Sequence, residues 1–134
     1  MASNVLVVDD DPNLVRLMSK FLKLEGFAPV GAGNGEEALV YLRSGGDASV
    51  ILLDLRMPVM DGWAFRKEQR GDPVLAGIPI VVMSGVAADS STDLEAAASF
   101  SKPVSFLDVV DVVRQLCDAR ASGQPRVSSG QPRV

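Results

Sequence analysis

Three short apolar runs, Val5 to Val8, Val50 to Leu53 and Ile80 to Met83, contain no polar residue. A strand with one face in water alternates apolar and polar residues. Unbroken apolarity marks strands buried on both faces, as in a parallel sheet covered by helices. Each run also empties abruptly into polar residues: Asp9 and Asp10 after the first, Asp54 after the second and Ser84 after the third. These runs therefore constrain both the architecture and the place where its chemistry can lie.

Helical patterns separate the runs. Asp11-Pro12 reads as a cap and first-turn proline for a helix whose apolar residues are Leu14, Leu17, Met18, Phe21 and Leu22, closed by Gly26. A second strand is expected at Phe27 to Gly31, then a helix capped by Asn34 and carrying Ala38, Leu39 and Leu42 up to Gly45 and Gly46. A third helix is expected from near Asp61 to Gly71 or Asp72. After the Ile80 run, Ser90 or Ser91 can cap a short helix through Leu94 to Ala98, followed by a brief strand at Phe100 and Ser101. Ser105 with Asp108 suits the start of a last helix with a stripe of Phe106, Val109, Val110, Val113, Leu116 and Cys117. Five strands alternating with five helices give a doubly wound α/β domain with helices on both faces of a five-stranded parallel sheet.

The 134 residues suffice for one such domain. Residues 1–120 are expected to form it, and 121–134, ending in SGQPRV and SSGQPRV, to be a disordered tail or linker. No apolar run is long enough to span a membrane and no leader pattern opens the chain, so a cytoplasmic location is expected. The net charge of −4 argues against the broad basic face that nonspecific nucleic-acid binding requires. The absence of histidine excludes Ser-His-Asp and Cys-His catalysis, histidine metal ligands and a phosphohistidine on this chain. The single cysteine, Cys117, lies in an apolar helical stripe and reads as a buried structural thiol.

In a parallel α/β sheet, ligands bind beyond the carboxyl ends of the strands. Here those ends bring Asp9, Asp10, Asp54, Ser84 and Lys102 to one edge. Carboxylates held together repel unless a cation joins them, and oxygen-only ligands suit Mg²⁺. A carboxylate can also attack phosphorus if metal and ammonium neutralise the developing charge. This set of groups suits phosphoryl transfer. Asp11 reads as a helix cap, Pro58 and Gly62 as loop-shaping residues, and Trp63 as a packing residue able to report metal binding by fluorescence.

The stretches VLVVDDDP at 5–12, ILLDLRMPVMDG at 51–62, VVMSG at 81–85 and SKP at 101–103 resemble the receiver domains of bacterial two-component response regulators. The resemblance covers residues 3 to 120 and implies a flavodoxin-like fold with strand order 2-1-3-4-5. It implies that Asp54 is the phosphoacceptor, that Asp10 binds Mg²⁺ directly, that Asp9 acts through a metal-bound water, and that the Arg56 backbone carbonyl is a further ligand. Ser84 matches the switch hydroxyl. Lys102 matches the lysine that pairs with the acceptor carboxylate, and the Lys102-Pro103 bond is expected to be cis. Such a domain catalyses only its own phosphorylation and dephosphorylation. Its expected partners are a sensor histidine kinase or histidine phosphotransfer protein and an unidentified downstream protein, with homodimerisation on phosphorylation left open.

One position departs from the family pattern. The aromatic residue expected three places before the lysine is Ser99, and the nearest ring is Phe100. Either the short strand is shifted by one residue or the aromatic switch is missing. A receiver-like scaffold that binds partners without phosphorylation therefore stands as the alternative. An aspartate-nucleophile phosphatase is disfavoured by Arg56, where a second aspartate is expected. A flavodoxin-type FMN carrier is disfavoured by three aspartates where a phosphate loop is needed. The sequence leaves open whether the chain is a stand-alone regulator or a receiver cut from a longer protein.

Overall fold

The computed structural model describes residues 3–85 and 94–121. Strands β1 (Asn4–Val8), β2 (Ala28–Ala32), β3 (Val50–Asp54), β4 (Ile80–Ser84) and β5 (Ala98–Ser101) form one parallel sheet in the order β2-β1-β3-β4-β5. Helices α1 (Pro12–Leu24) and α4 (Phe106–Ala121) cover one face, while α2 (Gly35–Arg43) and α3 (Gly62–Arg70) cover the other. The doubly wound, flavodoxin-like architecture is as expected.

The apolar runs do what their continuity requires. Every residue of β3 and β4 is buried, and alternate residues enter opposite cores. Leu6, Val8, Ile51, Leu53, Ile80 and Val82 meet α2 and α3; Val5, Val7, Leu52, Val81 and Met83 meet α1 and α4. At about 1.5–3 kcal/mol per fully buried aliphatic side chain, these two layers supply the main driving force for closing helices over both faces.

Helix termini follow the capping chemistry. Asp11 accepts the Asn13 N–H at 3.0 Å, Asn34 accepts that of Glu37 at 2.9 Å, and Asp61 accepts that of Ala64 at 2.8 Å. The Ser105 hydroxyl accepts the Asp108 N–H at 3.3 Å. Gly26, at φ 94°, turns the chain out of α1 in a conformation that L residues rarely adopt.

The C-terminal half shows the main departures. Strand β5 begins at Ala98, so the helix expected to run from Leu94 to Ala98 is not formed there; Leu94 and Glu95 form a turn. Glu95 has φ 53°, which no α-helix accommodates, and Ala98 already pairs with Val81. The caps assigned to Ser90 and Ser91 lie outside the described residues, as does the tail from residue 122. Strand β2 is displaced by one residue, because the Phe27 N–H still closes the end of α1 on the Leu22 carbonyl at 3.0 Å.

One glycine positions the site directly. Gly62, after the Asp61 cap, donates to the Leu55 carbonyl at 2.8 Å, and a Cβ there would strike the Asp54 carbonyl and come within 2.8 Å of Leu55 Cα. Backbone cannot yield as a flexible side chain can. Gly62→Ala is expected to destabilise the fold by about 2–3 kcal/mol in urea unfolding, whereas Gly77→Ala, which meets no atom within 4 Å, stays within about 0.5 kcal/mol. Equal effects of the two substitutions would mean that α3 does not pack on β3 this closely.

Candidate functional site

Parallel strand direction delivers the ends of β1, β3, β4 and β5 to one edge of the sheet. Asp9 and Asp54 are buried there, with 1% and 4% exposure, while Asp10 is exposed. Each offers a carboxylate oxygen, all within 4.8 Å of one another. Ser84 ends β4 one position beyond Met83, the register partner of Asp54, and is itself buried. Lys102 follows β5, and its backbone N–H donates to the Ser84 carbonyl at 2.8 Å. The Lys102-Pro103 bond is cis, as expected.

Lys102 joins the two buried carboxylates unequally. Its Nζ lies 2.7 Å from Asp9 Oδ2 and 3.5 Å from Asp54 Oδ1. The family resemblance implied pairing with Asp54, and nothing in the sequence signalled this preference for Asp9. The other Asp9 oxygen accepts the Asp11 N–H at 2.9 Å, and Asp54 Oδ1 accepts the Leu55 N–H at 2.9 Å. Asp9 is thereby fixed at both oxygens, while Asp54 is held mainly through Oδ1.

Burial pushes the Asp54 carboxyl up to about 6, and the negative charge of Asp9 adds to that rise; Lys102 and the Leu55 N–H only partly offset them. For Lys102, burial works against the ammonium, yet the Asp9 hydrogen bond and the charges of Asp54 and Asp9 outweigh it and hold its pKa above the usual value. The pocket thus carries an excess of negative charge that one ammonium does not neutralise. An all-oxygen set with this excess fits a hard divalent cation.

Loop residues after β3 complete the surroundings. Arg56, Met57, Pro58, Asp61 and Trp63 line an open cavity of about 400 Å³ together with Asp10, and the Arg56 guanidinium sits 5.8 Å from the centre of the Trp63 ring. The loop is pinned by hydrogen bonds from Met60 N to Pro58 O, 2.7 Å, and from Gly35 N to Met60 O, 2.9 Å. Between them Val59 is held at φ 70°, a strained choice for a β-branched residue. Asp11 serves as a helix cap and Cys117 lies in the core under α4, so neither joins the site. Sequence reasoning missed a buried polar pair, Arg66 and Gln69 on α3, because nothing in GWAFRKEQR separates Arg66 from its solvated neighbours Lys67 and Arg70.

The raised Asp54 pKa fixes the sign of a stability effect. Folded Asp54 keeps its proton up to about pH 6, whereas an ordinary carboxyl loses it near 3.8. Between those values the folded state binds more protons than the unfolded chain, so the contribution of Asp54 to stability is full below about 3.8 and is lost as pH rises through 6. In metal-free buffer, Asp54→Asn is therefore expected to stabilise the protein at pH 7.5 by an amount on the order of 1–3 kcal/mol. That advantage should vanish near pH 4 in parallel urea unfolding series. A variant less stable than wild type at pH 7.5 would show that attraction to Lys102 outweighs burial.

Residues 5–114 match the family described as the response regulator receiver domain. The transcriptional regulatory protein CpxR homolog of Haemophilus influenzae is 34% identical over 125 residues, covering 92% of this chain and 53% of that protein. The transcriptional regulatory protein AruR of Pseudomonas aeruginosa is 32% identical, with 93% and 55% covered. The chain thus spans about half the length of these curated relatives. Among solved structures, a CheY-like receiver domain protein from Methanospirillum hungatei superposes with a TM-score of 0.82 at 21% identity, covering 92% of this chain and 99% of that one, a likeness of fold. Response regulator TrrA from Thermotoga maritima, solved in complex with Mg(2+)-BeF, gives a TM-score of 0.75 at 28% identity, covering 85% and 98%. With the family matched across most of the folded chain and its acidic edge in place, the protein belongs to the response regulator receiver domains of two-component systems.

Proposed function

We propose that this domain accepts a phosphoryl group on Asp54 from a phosphohistidine on a sensor kinase or phosphotransfer protein and signals by phosphorylation-dependent protein binding. The observation that carries the reading is the buried Asp54 carboxylate, flanked by two further carboxylates within 4.8 Å and facing the Lys102 ammonium. The similarity to TrrA, solved with Mg(2+)-BeF, supports it, since a beryllium fluoride adduct resembles a phosphoryl group in charge and shape.

The chemistry asked of the chain is limited and balanced. An Asp54 carboxylate oxygen forms a bond to phosphorus as the bond from phosphorus to the donor imidazole breaks, and the nitrogen lone pair returns to the donor. Lys102 neutralises charge gathering on the phosphoryl oxygens, and the Ser84 hydroxyl would hydrogen-bond one of them. Because these 134 residues contain no histidine, the donor imidazole lies outside them. Asp9, Asp10 and Asp54, with the Arg56 backbone carbonyl, would hold Mg²⁺. When bound, the ion supplies Lewis-acid neutralisation of the transferring group. Asp9 has a second duty, since its grip on Lys102 keeps the ammonium at the site.

Incubation with acetyl phosphate and Mg²⁺, read by intact mass, is expected to give a single phosphoryl adduct that disappears in Asp54→Asn and in chelator. No adduct on the wild-type chain would favour the scaffold that binds without phosphorylation. Magnesium alone should alter Trp63 fluorescence, because that ring shares its cavity with Asp10, and Asp10→Asn should weaken the apparent affinity at least tenfold. A titration unchanged by Asp10→Asn would remove Asp10 from the ligand set.

A further inference from the structure

Arg66 lies in the middle of α3 with only 8% of its surface exposed. Its Nε donates to the Leu94 carbonyl at 2.8 Å, Nη2 to the Glu95 carbonyl at 3.2 Å, and Nη1 to Gln69 Oε1 at 2.7 Å. Gln69, fully buried, donates in turn to the carbonyls of Leu75 at 2.9 Å and Ile78 at 3.0 Å. A buried guanidinium is tolerated only while its donors are met. The Leu94 and Glu95 carbonyls therefore cannot drift away gradually; they are held, or they are exchanged for water in one step.

The same turn is gripped in three further ways. Leu94 is buried in the core beside α2 and α3, Arg70 pairs with Glu95 at 3.1 Å, and the Ala97 N–H donates to the Ile80 carbonyl at 2.8 Å. Glu95 itself sits at φ 53°, a left-handed conformation that costs about 1–2 kcal/mol for a residue with a Cβ. A strained turn under a buried clamp is poised to change when its surroundings do.

Its place in the chain gives that change a cause. Leu94 and Glu95 end the connection that leaves β4 at Ser84, and they lead into β5, which ends beside Lys102. The carboxyl end of the parallel β4–β5 pair thus carries Ser84 and Lys102 of the acidic site, while Arg66 holds the turn at its amino end, and β5 runs from one to the other. Strand β5 itself offers no ring on that side of the sheet: Ser99, opposite Val82, is exposed there, and Phe100 packs on the α1 and α4 side.

We propose that Arg66 is a positioning residue that couples the Asp54 site to α3. It fixes Leu94 and Glu95 in the resting state and yields when Ser84 and Lys102 are drawn toward a phosphoryl group, so that the surface altered by phosphorylation includes α3. This rests on Asp54 being the phosphoacceptor.

The test uses the full chain with Mg²⁺ and beryllium fluoride, with fluorine NMR reporting the adduct and amide hydrogen exchange reporting the clamp. In the wild type, the adduct is expected to speed exchange at Ala97 and Ala98 and along Arg66 to Arg70 at least tenfold. In Arg66→Met, exchange at Ala97 and Ala98 should be fast without the adduct and gain less than twofold with it, while the fluorine signal persists; Arg66→Lys should fall between. If Arg66→Met fails to fold, Arg66→Lys carries the test. A merely structural arginine would leave the tenfold response intact from a faster baseline, which would overturn the coupling. A fluorine signal without any exchange response in the wild type would overturn it alone. Absence of the fluorine signal would overturn the phosphoacceptor reading, and the coupling with it.

Discussion

One ammonium faces three carboxylates at the carboxyl edge of this sheet, and much of the structure makes sense as a consequence of that imbalance. Lys102 satisfies Asp9 closely and Asp54 loosely, so Asp54 is left buried, negatively accompanied and ready to hold a proton up to about pH 6. Such a group is a weak point for stability in the absence of a cation and a strong point for chemistry in its presence. The frame of hydrogen bonds and packing around it is correspondingly rigid. Asp9 is hydrogen-bonded at both oxygens, Gly62 brings α3 against the end of β3, and the loop between them is pinned by two hydrogen bonds about a strained Val59. A site that stabilises charge by prearranged groups needs this rigidity, because groups that had to reorganise during reaction would give the advantage back.

Much of this was legible in the sequence, for a physical reason that can be named residue by residue. Runs such as Val50 to Leu53 have no alternative to burial on both faces, so they identify central parallel strands, and the polar residue that follows each run must then lie at the functional edge. Asp11 and Asn34 were readable as caps because short polar side chains before apolar periodicity have one favourable use. The illegible parts depend on contacts between segments distant in the chain. Whether Lys102 prefers Asp9 or Asp54 is settled by differences of less than 1 Å at the meeting of three strands. Arg66 looks like any solvated helix residue until the turn at Leu94 places carbonyls above it. The helix expected to reach Ala98 failed for a related reason: alanines favour helix locally, but pairing with Val81 and the left-handed Glu95 override that preference.

The position of Ser99 shows how a single parity argument separates two explanations that the sequence leaves equal. If β5 were shifted by one residue, Phe100 would occupy the place opposite Val82 and face α2 and α3. The register instead pairs Met83 with Phe100, and both belong to the core under α1 and α4. Because side chains alternate strictly across a strand, Phe100 cannot reach the other face without a one-residue slip, which would also turn Ala98 out of that core and expose the serines to it. The ring is therefore a fixed core element here. One link between β5 and the α3 side of the sheet is instead the buried Arg66 guanidinium, which holds the turn leading into β5.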